Sequence, residues 1–152
     1  MLRRPSYGPM TNTPFQPLGL DHVVLWVGPL PEAVDWYRRV LGCTPGFKYP
    51  DIAMEHLWFG SILIGLWDKT DPRAQYARPA VDGGTNVDHL GLAVGPFELE
   101  TLRAHLAAHD VAIQKELIQG GARGVGQSVY FFDPWGNRIE LKGPGQYADG
   151  NA

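Results

Sequence analysis

The clearest pattern in the chain is a strand-like stretch that occurs twice. Residues 20–29 read LDHVVLWVGP and residues 87–96 read VDHLGLAVGP, which are identical at six of ten positions. Branched and aromatic side chains in the first copy are typical of a β-strand, and the side chains of a strand alternate between its two faces. Val23, Leu25 and Val27 therefore form one aliphatic face. A stretch that recurs predicts two copies of one structural unit.

Each copy of this stretch is followed by a predicted helix. The first helix falls within residues 29–43, with Pro31 near its start and Gly42 at its end, where these residues favour helix boundaries. The second helix falls within residues 96–110. Apolar residues recur at helical spacing in both helices and are expected to pack on a sheet. These residues are Val34, Tyr37, Leu41, Leu99, Leu102 and Leu106.

Short apolar runs separated by turn-forming residues complete each copy. They cover residues 46–50, 54–60 and 61–68 in the first copy and 111–117, 127–133 and 137–143 in the second. The order β-α-β-β-β thus occurs twice, which predicts an α+β fold. We expect two βαβββ modules that form a curved mixed sheet around a cavity. The glycine-rich residues 120–127 are expected to be a mobile loop over a site.

Segments rich in turn formers predict how the domain is organised. We expect a flexible arm over residues 1–17, a single domain over residues 18–143 and a tail over residues 144–152. Within the domain, the first module spans residues 18–68, a connector spans 69–86, and the second module spans 87–143.

Composition and charge narrow the function classes. The 152 residues include 44% hydrophobic side chains and carry a formal net charge of −3, so nothing predicts a nucleic-acid partner. The single cysteine, Cys43, excludes an intrachain disulfide, which is typical of cytoplasmic proteins. The sequence contains no apolar run of about 18 residues, so a membrane partner is not expected. We expect a cytoplasmic protein with a small-molecule substrate, and a homodimer, because so small a chain leaves sheet edges exposed.

Three polar residues occupy strand positions that point away from the aliphatic side. His22 and His89 open the two copies of the repeated stretch, and Glu140 lies between Ile139 and Leu141 in the last strand. A carboxylate inside a strand is costly unless it is paired or bound to a cation. Two imidazoles and one carboxylate form the facial triad that holds Fe2+ or a similar ion and leaves other coordination positions open. The pattern therefore predicts a metal at the centre of the cavity.

The two modules, the paired DH strand openings and the ending YFFDPWGNRIEL at residues 130–141 resemble the vicinal-oxygen-chelate superfamily. This superfamily includes glyoxalase I, methylmalonyl-CoA epimerase, fosfomycin-resistance enzymes, bleomycin-binding proteins and extradiol dioxygenases. The resemblance covers residues 20 to about 143 and implies that His22, His89 and Glu140 are the metal ligands. It also implies a site shared across a dimer, with His22 of one subunit beside His89 and Glu140 of another.

The chain departs from the closest branches of the superfamily. Four-ligand members such as glyoxalase I place a ligand at the position of Gly65, which cannot bind a metal. Fosfomycin-modifying members have a threonine at the position of Val24, and extradiol members have a histidine in the loop where Arg123 stands. Both have a tyrosine at the position of Tyr130, for which hydrogen bonding to a substrate oxygen and filling of the core are equally open interpretations.

Large aromatic residues point to the kind of substrate. Trp26 shares a strand face with His22, and Trp67 shares one with Gly65. Indoles beside a metal predict an apolar or aromatic substrate pocket lined by Trp26, Val24, Gly65 and Trp67. A core that required large residues is the alternative interpretation.

The candidate catalytic residues are Tyr130, His56 and Arg123. His56 is a potential acid–base group, although so short a strand does not fix the face on which it lies. Arg123 is either a group that binds an anion or a solvated loop charge.

The predicted function is a divalent-metal-dependent enzyme of the glyoxalase or extradiol dioxygenase type, either a dioxygenase or a lyase/isomerase. Its substrate is expected to be small, hydrophobic or aromatic, and to carry vicinal oxygens that the metal binds. The sequence leaves Fe2+, Mn2+, Zn2+ and Ni2+ open as the metal. The alternative is a metal-free protein that sequesters a ligand, as bleomycin-resistance proteins of this superfamily do.

Overall fold

The computed structural model describes residues 19–76 and 87–146. Both modules have the element order strand, helix, strand, strand, strand. The first module contains β1 (His22–Val27), α1 (Leu30–Leu41), β2 (Thr44–Tyr49), β3 (Met54–Phe59) and β4 (Ile62–Asp68). The second contains β5 (Leu90–Ala93), α2 (Leu99–Ala108), β6 (Ile113–Gly121), β7 (Gly124–Phe132) and β8 (Arg138–Gln146). The predicted arm over residues 1–17, most of the connector and the end of the tail lie outside the described residues.

Each module forms its own four-stranded mixed sheet. The strand orders are β1-β4-β3-β2 and β5-β8-β7-β6. β1 runs parallel to β4 and β5 parallel to β8, while the other neighbouring strands are antiparallel. The predicted α+β fold of two βαβββ modules is confirmed.

The first strand of each module has the expected two faces. In β1, Val27 is fully buried on the aliphatic side, whereas His22 and Val24 are exposed on the other side. In β5, Leu92 is buried and Gly91 is exposed. The alternation therefore places the sheet face that carries His22 away from the packed side of the module.

Helix α1 has the predicted boundaries but buries a slightly different stripe. Gly42 adopts a left-handed conformation with φ of 67° and donates its N–H to Tyr37 O, which ends the helix. Tyr37 is fully buried, as expected, but Val34 and Leu41 are only half-buried. The fully packed positions are Ala33, Trp36, Tyr37 and Val40. Trp36 is buried because its ring packs edge-on against Tyr37 and Trp135.

A short segment from late in the chain completes the packing of the first module. Pro134–Asn137 belongs to the same compact unit as Leu20–Asp88. The Trp135 ring stacks near Tyr37 at 6.4 Å and meets Trp36 edge-on at 6.3 Å. Trp135 Nε1 donates to Gly28 O at 2.6 Å, and Asn137 Nδ2 donates to Trp26 O at 3.0 Å. Trp135 and Asn137, which belong to the sequence ending YFFDPWGNRIEL, therefore have a structural role in the first module.

The glycine-rich residues 120–127 are not the predicted loop. β6 and β7 extend through them as a hairpin that pairs Gly121 with Gly124, so that only a two-residue turn remains. A Cβ atom at Gly126 would collide with the backbone of Pro144 on β8, so glycine is required there by close strand approach. β8 itself continues to Gln146, beyond the boundary expected at residue 143.

Among the described helices, none combines the length and the apolar character that crossing a membrane requires.

Candidate metal and substrate site

Two of the predicted metal ligands come together in the second module. The parallel pairing of β5 and β8 sets Gly91 opposite Glu140, and His89 lies two residues before Gly91. His89 Nε2 is 3.2 Å from Glu140 Oε2. A methyl group on residue 91 would lie 3.4 Å from that oxygen, so the small residue leaves space beside the carboxylate.

The other oxygen of Glu140 is held by neighbouring side chains. Ser128 Oγ donates to Glu140 Oε1 at 2.6 Å, and Gln119 Nε2 donates to it at 3.0 Å. Burial pushes the pKa of Glu140 up, but hydrogen bonds from Ser128, Gln119 and Tyr130, together with the charge of His89, outweigh it and lower the pKa. Glu140 is therefore held as a carboxylate whose Oε2 points towards His89.

Tyr130 belongs to this network. Its side chain is only 2% exposed, and its hydroxyl accepts from Gln119 Nε2 and hydrogen-bonds to Glu140. Burial raises the pKa of Tyr130, and the hydrogen bond to Glu140 raises it further. The His89 ring lies edge-on to the Tyr130 ring at 5.1 Å. Tyr130 thus contacts both predicted ligands of the second module.

The donor pair fits a divalent metal. A histidine nitrogen next to a carboxylate oxygen is a pair of ligand types that would suit a divalent metal such as Zn2+ or Fe2+. Hydrogen bonds to the outer oxygen of a ligating carboxylate are the usual way in which proteins orient it. His89 and Glu140 have both properties.

His22 lies in the first module, on the exposed face of β1. Its Nδ1 is 2.6 Å from Asp21 Oδ1, and its side chain is half-exposed. A carboxylate on one ring nitrogen fixes the tautomer and leaves the other nitrogen available to a metal. His22 therefore has the hydrogen bonding of a ligand.

His56 and Gly65 are directly opposite each other on β3 and β4. A methyl group on residue 65 would lie 2.9 Å from His56 Cδ2 and 3.0 Å from both His56 Nε2 and Val24 Cγ2. The imidazole therefore occupies the space that a side chain on residue 65 would need. Both ring nitrogens of His56 are buried, and neither has a hydrogen-bond partner in the part of the chain that the structure describes. Burial, and secondly the charge of His22, lowers the pKa of His56, which favours the neutral ring.

The two tryptophans of the predicted pocket stack on each other. β1 and β4 pair Trp26 with Trp67, and the rings lie 5.8 Å apart at 26°. Trp67 Nε1 donates to Ile52 O at 2.7 Å, which fixes its orientation. Val24 lies on the same face and is 39% exposed. The first module thus presents an apolar aromatic face next to His22.

Arg123 and Lys142 place positive charge in the second module. Arg123 is in the turn between β6 and β7, and its Nη2 donates to the backbone oxygens of Val94 and Lys142. It is therefore anchored and is not a solvated loop charge. Lys142 is only 7% exposed. Its burial lowers the pKa of its ammonium group, the charge of Glu140 opposes this, and the charge of Arg123 adds to it.

Sequence reasoning missed Ser128, Gln119 and Lys142. The signal for two of them was present, because Lys142 lies two residues after Glu140, and Ser128 two residues before Tyr130, so that strand alternation puts each pair on one face. Gln119 was hidden by the interpretation of the glycine-rich segment as a loop that begins next to it.

The predicted triad is divided between the modules. His22 is in the first module, and His89 and Glu140 are in the second. Within residues 19–76 and 87–146, no group of three or more histidine, cysteine, aspartate or glutamate side chains is gathered for a metal ion.

Comparison with known proteins defines the class of protein. The family described as the Glyoxalase/Bleomycin resistance protein/Dioxygenase superfamily matches residues 19–141. The chain belongs to this superfamily, which confirms the predicted resemblance.

Particular relatives agree with this assignment. The chain is 30% identical over 122 residues to the protein named Glutathione transferase FosA of Serratia marcescens, covering 80% of this chain and 78% of that protein. It is similar to an integron cassette protein from the mobile metagenome of V. cholerae, with 27% identity, a TM-score of 0.65 and coverage of 85% and 97% of the two chains. The fosfomycin resistance protein FosX of Listeria monocytogenes shares the fold, with 17% identity, a TM-score of 0.63 and coverage of 84% and 92%.

Proposed function

We propose that the protein is a divalent-metal-dependent enzyme that acts on a small molecule with two neighbouring oxygens, and that His22, His89 and Glu140 hold the metal. The observation that supports this most directly is the carboxylate of Glu140. One of its oxygens is occupied by Ser128 and Gln119, while the other is 3.2 Å from His89 Nε2. The superfamily and the transferase named among its relatives support an enzyme.

The residues of each module have distinct parts in this proposal. A metal bound by the triad supplies Lewis acidity, which stabilises negative charge on substrate oxygens. Tyr130 is a positioning residue, because its hydroxyl contacts Glu140 and is buried. The neutral imidazole of His56 is the candidate proton acceptor of the first module.

The stacked indoles of the first module support a hydrophobic or aromatic portion in the substrate. Trp26 and Trp67 lie on the sheet face that carries His22, where they can exclude water from a bound ring. Fe2+ would supply the redox chemistry that a dioxygenase requires, and any of the four candidate metals would supply the Lewis acidity that a lyase or isomerase requires.

The experiment is metal analysis of protein purified without chelators, followed by titration of the metal-free protein with Mn2+. We expect about one metal per chain, and weaker metal binding in His22→Ala, His89→Ala and Glu140→Gln than in the native protein. His105→Ala, on helix α2 outside the proposed site, is the matched control and should bind normally. Less than about a tenth of an equivalent of metal, in protein that also fails to bind Mn2+, would overturn the proposal.

The same variants also test whether the metal site is shared between two subunits. We propose that His22 of one subunit completes the site formed by His89 and Glu140 of another. His22→Ala and His89→Ala proteins that are unfolded together and refolded as mixed dimers should then regain metal, because a mixed dimer contains one intact site and one doubly mutated site. If no mixture binds metal although mixed dimers form, each site lies within one subunit.

The second candidate function is a metal-free binding protein. The stacked Trp26 and Trp67 beside the exposed Val24 favour it, because such a face can bind an aromatic compound without chemistry. Metal content separates the two functions, since only the enzyme requires an intact triad.

A further inference from the structure

A small cavity lies beside Glu140 in the second module. It has a volume of about 130 Å³ and is lined by Gly91 and Ala93 on β5, residues 120–123 of the hairpin, and Glu140 and Lys142 on β8. Glycine and alanine leave this space open, since larger side chains at these positions would fill it. At about 30 Å³ per water, the cavity has room for about four waters or one small oxyanion group.

Lys142 is in an unusual position within this cavity wall. Its side chain is 7% exposed, and its Nζ is buried and has no hydrogen-bond partner among the described residues. A methyl group on Gly121 would lie 3.1 Å from Lys142 Cε, so the glycine admits the lysine stem. Burying an ammonium group without a partner is costly. An anionic partner next to Lys142 Nζ would remove this cost.

Arg123 adds a second donor at the same cavity. Two backbone oxygens hold its Nη2, while its Nε is buried and has no hydrogen-bond partner within residues 19–76 and 87–146. The guanidinium is thus fixed in place and still has a free N–H. A fixed pair of cationic donors is the arrangement that carboxylates and phosphates bind.

The charges around the cavity do not balance once Glu140 serves a metal. Among the described residues that line the cavity, Glu140 is the one carboxylate. Its oxygens interact with Ser128 and, in the proposed function, with the metal. Lys142 and Arg123 then leave an excess of positive charge next to the metal.

We propose that this cavity binds an anionic group of the substrate, a carboxylate or a phosphate-type group, through Lys142 Nζ and Arg123 Nε. The inference rests on the proposed function, because it places the anion beside the metal ligand Glu140. The substrate class that follows is a small molecule with an anionic group next to the oxygens that the proposed metal would bind.

Calorimetric titration with three small probes tests this proposal. Inorganic phosphate, acetate and the neutral acetamide are titrated into metal-free and Mn2+-loaded protein. We expect saturable binding of phosphate or acetate and none of acetamide. The preferred anion identifies the class, phosphate-type or carboxylate. Absence of saturable binding of either anion to both forms would overturn the proposal.

Variants separate binding in the cavity from binding to the metal alone. Lys142→Met keeps the length of the side chain and removes the charge, and Lys69→Met in an exposed turn is the matched control. We expect Lys142→Met and Arg123→Ala to weaken anion binding at least tenfold and Lys69→Met to leave it unchanged. An affinity within twofold of the native protein in Lys142→Met would refute the role of Lys142.

Two further measurements keep the outcome interpretable. Lys142→Met should be at least as thermally stable as the native protein without anion, because an unpaired buried charge is replaced by an apolar group. Mn2+ affinity should be unchanged in Lys142→Met. If the protein binds metal normally and its anion affinity does not depend on Lys142, only this inference is refuted. If anion binding depends on Lys142 but the protein has no metal site, only the proposed function is refuted.

Discussion

The two modules share one pattern of elements but prepare their polar residues in different ways. In the second module, Glu140 is surrounded by hydrogen-bond donors from Ser128, Gln119 and Tyr130, and it meets His89 at 3.2 Å. In the first module, His22 is half-exposed and has Asp21 on one ring nitrogen. The repeat therefore places His22 and His89 at the same position of the two modules, whereas the hydrogen bonding that would orient a metal ligand is concentrated in the second module.

A second difference concerns the last strand of each module. Glu140 on β8 corresponds to Gly65 on β4, and the space at Gly65 is occupied by the imidazole of His56. In the second module this position carries a carboxylate. In the first module it is a glycine, which leaves room for the side chain of His56. A duplicated fold can separate the tasks of binding a metal and shaping a pocket in this way.

The largest expected effect tests which module dominates metal affinity. Glu140→Gln should weaken Mn2+ binding by more than ~100-fold, beyond the range typical of outer-sphere changes. His22→Ala should cost less, because its side chain is half-exposed and less firmly oriented. Competition titration of Mn2+ measures both. Equal losses in the two variants would show that the modules contribute equally.

A matched pair of substitutions compares the groups that orient the ligands. Ser128→Ala removes a donor to Glu140 Oε1 and should weaken Mn2+ binding about 10–100-fold. Asp21→Asn alters the partner of His22 and should have a smaller effect, since Asp21 is almost fully exposed. The same titration reports both variants. A larger loss in Asp21→Asn would reverse the comparison.

Adding one methyl group to each module tests the packing. Gly65→Ala would crowd His56 and Val24 and should destabilise the protein by about 1–3 kcal/mol. Gly91→Ala meets only Glu140 Oε2 at 3.4 Å and should be nearly neutral. Thermal melting of metal-free protein should show a fall of about 2–4 °C per kcal/mol for Gly65→Ala. A native melting temperature for Gly65→Ala would contradict the close contact.

The smallest expected effect is on the pH dependence of stability. The pKa of His56 is lowered in the folded protein, so the unfolded chain binds its proton first as the pH falls. The stability from neutral His56 is present above pH 6.5 and is lost below it, by at most ~1.4 kcal/mol per pH unit. Glu140, with its lowered pKa, adds stability that is lost only below pH 4.5.

His56→Leu isolates the first of these windows. The variant should lose less stability than the native protein between pH 6.5 and pH 5, as measured by urea unfolding at a series of pH values. An unchanged slope in His56→Leu would contradict the burial of a neutral imidazole.

The sequence was sufficient for the repeated fold, because alternation and helical spacing are local properties of residues such as Val23, Leu25 and Val27. The same alternation predicted that the side chains of His22 and Glu140 lie on the strand face opposite the aliphatic residues. It did not reveal what contacts Glu140, since Ser128 and Gln119 reach it through pairing between strands. The glycines of residues 120–127 were misinterpreted because their cause is the approach of β8, which only tertiary structure shows.

Arg123 and His56 illustrate the same limit for charged and polar groups. A lone arginine in a polar stretch gives no sign that the backbone oxygens of Val94 and Lys142 hold it. The sequence of a short strand does not determine which face carries His56. The burial of the His56 ring depends on the absence of a side chain at Gly65.

The contact of Trp135 with the first module has a consequence for folding during synthesis. Trp135 and its acceptor Gly28 are separated by 107 positions in the chain. Helix α1 emerges from the ribosome long before this tryptophan is made, so the first module must wait for nearly the whole domain before its aromatic cluster closes. Contacts of such long sequence separation slow folding and leave apolar surface exposed in the meantime. The nascent first module is therefore the stage at which this protein depends most on protection from aggregation.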